Sequence, residues 1–538
     1  MKKKIFKKLN GNLTSLLFIL YALLIVILSN TQVLIDDVVL ELCYSGYFSG
    51  GSPMSDHLFQ HFFLTKTFSF LYTYLQSFNW YFYIHFLFLL LSFFNILNLF
   101  KDNKNKYYLL ILLVILFYVE YTYFTFTRIS FYLSFSGFLY FIKYERLDRY
   151  KFIYASLMVI LGCIVRPESG FLVLILFVLL FVTDEMFKNK IKDNYFIKQL
   201  LLVIVLPLAI MVSHKISNID NSKRFLVSNL NITESNLYKS SSFKNEIFDV
   251  YDFKRLKSFY FDERFTSKEV LKYVKDQDHK VCLRTRVKNS FVGLYSISSN
   301  LIYIFIFTIL MIQVLILNGC LNKLKLLSII VILVLLFLGL SVLIDLPLFK
   351  DRVFQPLFFS LIIFYYVKGF VFDSKSNKFR RILILIVLLF ILFITVKKDG
   401  YVKQDKYTKK ELNKIYDHIP NGDLIFDPLF FSLREAHFPG DCMVGGTRNY
   451  KSHQILPMGW AQRSYSTKVL YSKMRVQKLD DLLIMPNTTI LLEPGQLFLW
   501  NNYGEKYLNR SLVPYDSVCI NSGQSCYYLA KYRPFLIK

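Results

Sequence analysis

The chain has 538 residues, 54% of them hydrophobic and 18% aromatic, and only 19% charged, where a soluble globular protein carries about 25%. That composition excludes an ordinary water-soluble enzyme. The net charge of +26, from 64 basic against 38 acidic residues, points first to nucleic acid. The lysines, however, fall mostly in short loops between apolar runs, the pattern of cytoplasmic loops in a membrane protein attracted to anionic lipid.

The first residues, MKKKIFKK, precede an apolar run from Leu13 to Leu28. A secretory signal peptide competes here, but the run has no small-residue cleavage site and further spans follow, so it reads as an uncleaved first helix. A bilayer core about 30 Å thick needs roughly 20 apolar residues per helix, and continuous apolar runs without period-2 alternation select helices over a barrel. On that basis the chain contains about eleven spans, at 13–31, 79–100, 107–121, 128–143, 151–166, 169–183, 196–213, 299–318, 326–345, 353–371 and 380–396. The basic clusters at Lys2 to Lys4, Lys188 to Lys192 and Lys378 to Arg381 fall on one side. Only Lys66, Arg128, Arg166, Lys350 and Arg352 fall in the short stretches on the other. The asymmetry predicts a cytoplasmic N-terminus and an extracytoplasmic C-terminal tail.

The stretch Lys151 to Thr183 would run about 50 Å as one helix. Arg166-Pro167-Glu168 stands at its middle, and proline breaks a helix. A tight hairpin with its tip at the outer surface is the expected form.

Three outer pieces follow from this topology: loop 32–79, loop 214–298 and the tail 397–538. The tail alternates helix-like segments (KYTKKELNKIYDHI, KMRVQKLDDLL) with strand-like ones (DLIFD, TTILLE), which predicts a small α/β domain. The expected fold is therefore an α-helical polytopic membrane module over 1–396 with an extracytoplasmic α/β domain over 397–538. Of the seven cysteines none has zinc-ligand spacing. Cys519 and Cys526 flank a strand–turn–strand pattern, as a hairpin disulfide in an oxidising compartment or as two free thiols.

Asp36 and Asp37 open the first outer loop, directly after the first span. Acids at a membrane surface are functional candidates. One can act as general base toward a hydroxyl, or hold a divalent cation; the competing reading is a polar helix cap among headgroups. SGYFSGGSP follows, whose glycines permit close backbone approach. In SDHLFQH, His57 and His61 stand one helical turn apart, a spacing that suits a metal only beside another ligand and equally suits an amphipathic surface helix. Phe62 to Phe78 reads as an aromatic helix lying in the interface. Arg128, Arg166 and Arg352 sit at or near outer helix ends. They can grip a lipid phosphate, or pair structurally, Arg166 with Glu168 and Arg128 with Glu120. The tail fragments HFPGDC, VGGTRNY and MGWAQRSY suit carbohydrate contact or ordinary turns. No Walker loop, GxSxG, HExxH or dinucleotide fingerprint occurs.

The order of LIDDVVLELCYSGYFSGGSP, WYFYIHF, TFTRISFYLSFSGFLYF, GCIVRPESGFLVL and LPLFKDRVFQPLFF, ending in an outer α/β tail, resembles the GT-C superfamily of membrane glycosyltransferases, of the type that builds or decorates bacterial surface polysaccharides. The resemblance spans most of residues 1–400 and rests on layout and short fragments. It implies a polyprenyl-phosphate-sugar donor and a glycan or lipid-linked acceptor. Asp36 or Asp37 would be the catalytic base. Arg128, Arg166, Glu168, Arg352, His57 and His61 would be substrate-binding, with Arg166 and Arg352 near the lipid phosphate. Direct attack opposite that phosphate would invert the sugar. The cofactor expectation is none, or a divalent Mg or Mn ion on Asp36, Asp37 and His57. The sequence departs from the family in lacking a clear second-loop acidic motif and the WWD-type motif of oligosaccharyltransferases. Lys-, Asn-, Ile- and Phe-rich composition suggests an AT-rich bacterial genome, hence a bacterial plasma membrane. Competing functions are a polysaccharide polymerase, a lipid-linked oligosaccharide flippase and a non-catalytic scaffold.

Overall fold

The computed structural model describes residues 2–28, 35–46, 59–75, 78–100, 106–122, 124–144, 147–183, 193–217, 417–427, 454–456, 465–520 and 525–534, with isolated positions between them. The spans expected beyond residue 213, the loop 214–298 beyond its first residues, His57 and Arg352 lie outside them, as does the side chain of Asp36.

The helices are α1 (Lys2–Leu28), α2 (Ile35–Tyr44), α3 (Phe62–Tyr74), α4 (Trp80–Leu99), α5 (Lys106–Thr122), α6 (Phe126–Lys143), α7 (Arg149–Val165), α8 (Pro167–Thr183) and α9 (Asn194–Ser217). Every span expected up to residue 213 coincides with one of them. Trp80–Leu99 and Asn194–Ser217 are long and apolar enough to cross a bilayer; Leu13–Val26, Leu109–Thr122 and Pro167–Val178 are shorter apolar stretches. Leu16, Leu20 and Leu24 of α1 and Leu201, Val205 and Val212 of α9 face outward, each about half exposed. Such apolar faces suit lipid and would be a liability in water.

Helix α6 is the axis of the bundle. It is buried nearly all round, as a helix without a polar face must be, and α4, α7 and α8 pack on it. Helices α1 and α5 close one side and α9 the other. The crossing of α6 with α7 is close because its surfaces are small. A Cβ on Gly162 of α7 would collide with Ser134 Oγ and come within 2.8 Å of the Ser130 carbonyl and the Ser134 amide nitrogen. Small residues at a helix crossing let the backbones touch. Ser130 Oγ uses that proximity to donate to the carbonyls of Gly162 (2.7 Å) and Arg166 (3.1 Å).

Helix α7 ends at Val165 and α8 begins at Pro167, where a missing N–H does no harm. Gly170 lies against Cys163, so the two helices fold back on each other as the expected hairpin. Arg166 is its tip.

The tail contains β1 (Leu424–Phe426), β2 (Gln454–Ile455), α10 (Tyr465–Met474), α11 (Leu479–Leu483), β3 (Thr488–Leu492), α12 (Pro494–Tyr503), a π-helical turn (Gly504–Leu508), β4 (Arg510–Ile520) and β5 (Ser525–Pro534). The sheet order is β2-β1-β3-β5-β4, parallel at β2-β1-β3 and antiparallel beyond. The tail is α/β, as its alternating pattern predicts. KMRVQKLDDLL is not one helix: Arg475 adopts φ 56° and Val476 N–H turns back to the Tyr471 carbonyl, so α10 stops and α11 starts afresh. Cys519 and Cys526 are register partners on β4 and β5 and form a disulfide. Lys473 of α10 donates to Ser52 Oγ at 2.7 Å, a contact between the tail and the loop 32–79.

Candidate active site

Up–down helices bring alternate chain turns to the same end of a bundle. The starts of α4, α6 and α8 and the ends of α5, α7 and α9 meet at one end, and α2 and α3 lie against it. At the other end Lys143 of α6 donates to the Leu99 carbonyl of α4, and Lys151 pairs with Asp148 at 2.5 Å.

Asp37 is fully buried. Its Oδ1 accepts the Tyr81 hydroxyl (2.9 Å) and the Phe126 backbone N–H (3.0 Å). Phe126 is the first residue of α6, so the carboxylate caps that helix from outside, where free amides and the helix dipole both favour an anion. Tyr81 is held in turn: its amide donates to Tyr72 Oη at 3.1 Å, and its ring lies among Tyr44, Phe68 and His85. The turn bearing Asp37 leads into the tight loop at Gly46, which has φ +88° and would place a Cβ 2.7 Å from the Ser52 carbonyl carbon.

Glu41, one turn beyond Asp37 on α2, is a second acid at the site. Burial, with the charge of Asp37 adding to it, pushes its carboxyl up to about 8 against a side-chain hydrogen bond from Asn79.

Arg166 also contacts Phe126. Its guanidinium sits 5.2 Å from the centre of the Phe126 ring, donates to Thr127 Oγ1 and lies 3.8 Å from Glu168. Phe126 therefore touches both charged groups, its amide donating to Asp37 and its ring carrying the Arg166 guanidinium. The Arg166 side chain keeps 18% of its surface accessible and Glu168 keeps half. His214 of α9 feels the charges of both.

His61 caps α3, accepting the Phe63 N–H on Nδ1 at 3.4 Å, and its Nε2 donates to Ser213 Oγ at 3.0 Å. Its backbone N–H binds the Ile164 carbonyl at 3.0 Å. Both ring nitrogens are thus engaged with protein, and the imidazole ties α3 to α9 beside the Arg166 turn; His214 is its ring neighbour at 6.2 Å. Arg128 points inward. It faces Glu120 at 3.4 Å, and Tyr132 donates to the other oxygen of that carboxylate at 3.0 Å. The side chains of Arg128 and Glu120 are 6% and 0% exposed, so each requires the other against desolvation.

Of the residues singled out in the sequence, Asp37, His61, Arg166 and Glu168 are gathered at this end. Among the described residues no group of three or more His, Cys, Asp or Glu side chains is arranged to hold a metal ion. Tyr81, Thr127, Phe126 N–H, Glu41 and His214 belong to the site without having been read from the sequence. Glu41 was legible as the i+4 partner of Asp37 in IDDVVLELCY.

The chain matches no protein-family model and no curated protein. It is similar to ArnT from Cupriavidus metallidurans, whose crystal structure is bound to undecaprenyl phosphate, at 10% sequence identity and a TM-score of 0.38 over 96% of this chain and 97% of that one. A likeness of that size assigns no role to any residue here.

Proposed function

We propose that the chain is a membrane glycosyltransferase that moves a sugar from a polyprenyl-phosphate donor to a cell-surface glycan or lipid-linked acceptor on the outer face of a bacterial plasma membrane. The observation that carries this reading is the pairing at Phe126: a buried, oriented carboxylate on its amide and a partly accessible guanidinium at its ring. The GT-C-like order of sequence fragments agrees with it, as does a tail disulfide suited to an oxidising compartment.

In this reading Asp37 takes the proton of the acceptor hydroxyl as the oxygen attacks the sugar's anomeric carbon. The bond from that carbon to the phosphate oxygen breaks, and the lipid phosphate leaves with the electron pair. Arg166 is the group proposed to meet that growing negative charge, since a guanidinium matches phosphate oxygens by its fork of donors. Tyr81 and the Phe126 amide hold Asp37 in one orientation, which shortens the search for a reactive geometry. The partners are the lipid-linked donor and the glycan acceptor; a divalent cation on Asp36, Asp37 and His57 stays a proposal of the sequence alone.

Purified protein in lipid nanodiscs is expected to release polyprenyl phosphate from a glycosylated donor in the presence of acceptor. Arg166→Gln should lower that rate about 10- to 100-fold, the range for losing a hydrogen bond to a charged group. Movement of intact glycolipid between leaflets without release would identify a flippase and overturn the proposal.

A further inference from the structure

Buried polar atoms nearly always find a partner; among the described residues at this end of the bundle, Gln60 Oε1 and Thr125 Oγ1 have no hydrogen-bond partner. Gln60, fully buried, places its Nε2 on His85 Nε2 at 3.0 Å. His85 Nδ1 faces the Tyr81 carbonyl at 2.7 Å, so Nδ1 carries the ring proton and Nε2 accepts. The glutamine must therefore present its amide to the histidine, and its Oε1 is left without a donor. Thr125, 1% exposed, is the N-cap of α6. An N-cap threonine ordinarily turns its hydroxyl onto the helix amides. Here it makes no such bond, and Oγ1 has no partner at all; Asp37 caps the helix instead.

The two residues belong to different elements, and each is the chain neighbour of one member of a contacting ring pair. Thr125 directly precedes Phe126, and Phe59, next to Gln60, packs on the Phe126 ring with centroids 6.4 Å apart. Phe126 is the residue that contacts both Asp37 and Arg166. An acceptor-only carbonyl and a hydroxyl that both gives and takes are what the hydroxyl groups of a sugar ring need. Resting on the glycosyl-transfer reading above, we infer that Gln60 and Thr125 form the subsite that recognises hydroxyls of the donor sugar, beside the base and the phosphate-binding arginine. They are specificity residues, with no part in proton transfer.

The test is binding by the full-length protein in nanodiscs, with two kinds of probe: undecaprenyl phosphate alone, and undecaprenyl phosphate carrying glucose, galactose or mannose. The wild type should bind at least one glycosylated probe more tightly than the bare lipid. Thr125→Val and Gln60→Met should each weaken that probe about tenfold and leave the bare lipid unchanged, while Thr125→Ser restores the glycoside. Should Gln60→Met fail to accumulate, the two Thr125 variants decide. Equal weakening of both probes makes the residues structural, and unchanged glycoside binding leaves ordered water as the occupant; either overturns the subsite, as does wild type that prefers no glycoside over the bare lipid. Wild type that binds neither probe overturns the transferase reading itself.

Discussion

A carboxylate buried like that of Asp37 needs donors around it, and elements distant in sequence supply them, the Tyr81 hydroxyl and the Phe126 amide. The acid pair itself stands plainly in the sequence. Its inward-facing member does not, because helix phase decides that. The Phe126 donor could not be read at all, since a backbone amide carries no residue identity. Glu41 allows a direct check of how closed this pocket is. A glutamate has an ordinary value of 4.5, and here burial raises it to about 8. Between those values the folded protein keeps a proton that the unfolded chain has lost. The stability from the neutral carboxyl is therefore complete below about pH 4 and is lost as pH rises toward 8. Glu41→Gln should flatten that decline: relative to the variant, wild type should lose unfolding temperature between pH 5 and pH 8. Parallel curves for the two proteins would show Glu41 to be solvated.

At the scale of elements, the hairpin tip owes its position to the α6–α7 crossing. Pro167 marks the break in the sequence, and the hairpin was legible from it. The depth of the crossing was not, because it depends on Gly162 meeting Ser130 and Ser134, residues far apart in the chain. Ser130 then ties the Arg166 carbonyl to α6, so packing at the crossing and placement of the guanidinium are one event. Gly162→Ala should cost about 1–3 kcal/mol, the range for forcing an extra carbon into a packed interior. It should appear as a lowered unfolding temperature together with weaker donor binding. An alanine variant as stable as wild type would mean that the helices separate freely there. The tail teaches a related lesson: its strands follow from alternation and β-branched residues, but the left-handed turn at Arg475 that splits KMRVQKLDDLL has no glycine or asparagine to announce it.

At the scale of the whole molecule, the charged groups of the described residues cluster at the two ends of the bundle. Lys143 and Lys151 hold one end; Asp37, Glu41, Arg166 and Glu168 gather at the other, and the tail touches the loop 32–79 through Lys473. Loop charge predicts from the sequence which end faces the cytoplasm, because insertion acts on whole loops and leaves its mark in composition. The partition among the arginines was hidden. Arg128 and Arg166 look alike as outer-end cations, yet one is consumed by Glu120 inside the bundle and the other stays accessible. The proposed transfer depends most on the carboxylate of Asp37 as base. Its most direct test is the initial rate of undecaprenyl phosphate release by Asp37→Asn protein in nanodiscs, with donor affinity measured on the same sample. A drop of about 100-fold or more, the range for removing a general base, with donor affinity held within about twofold, is the predicted result. An asparagine variant that turns over at the wild-type rate would contradict it.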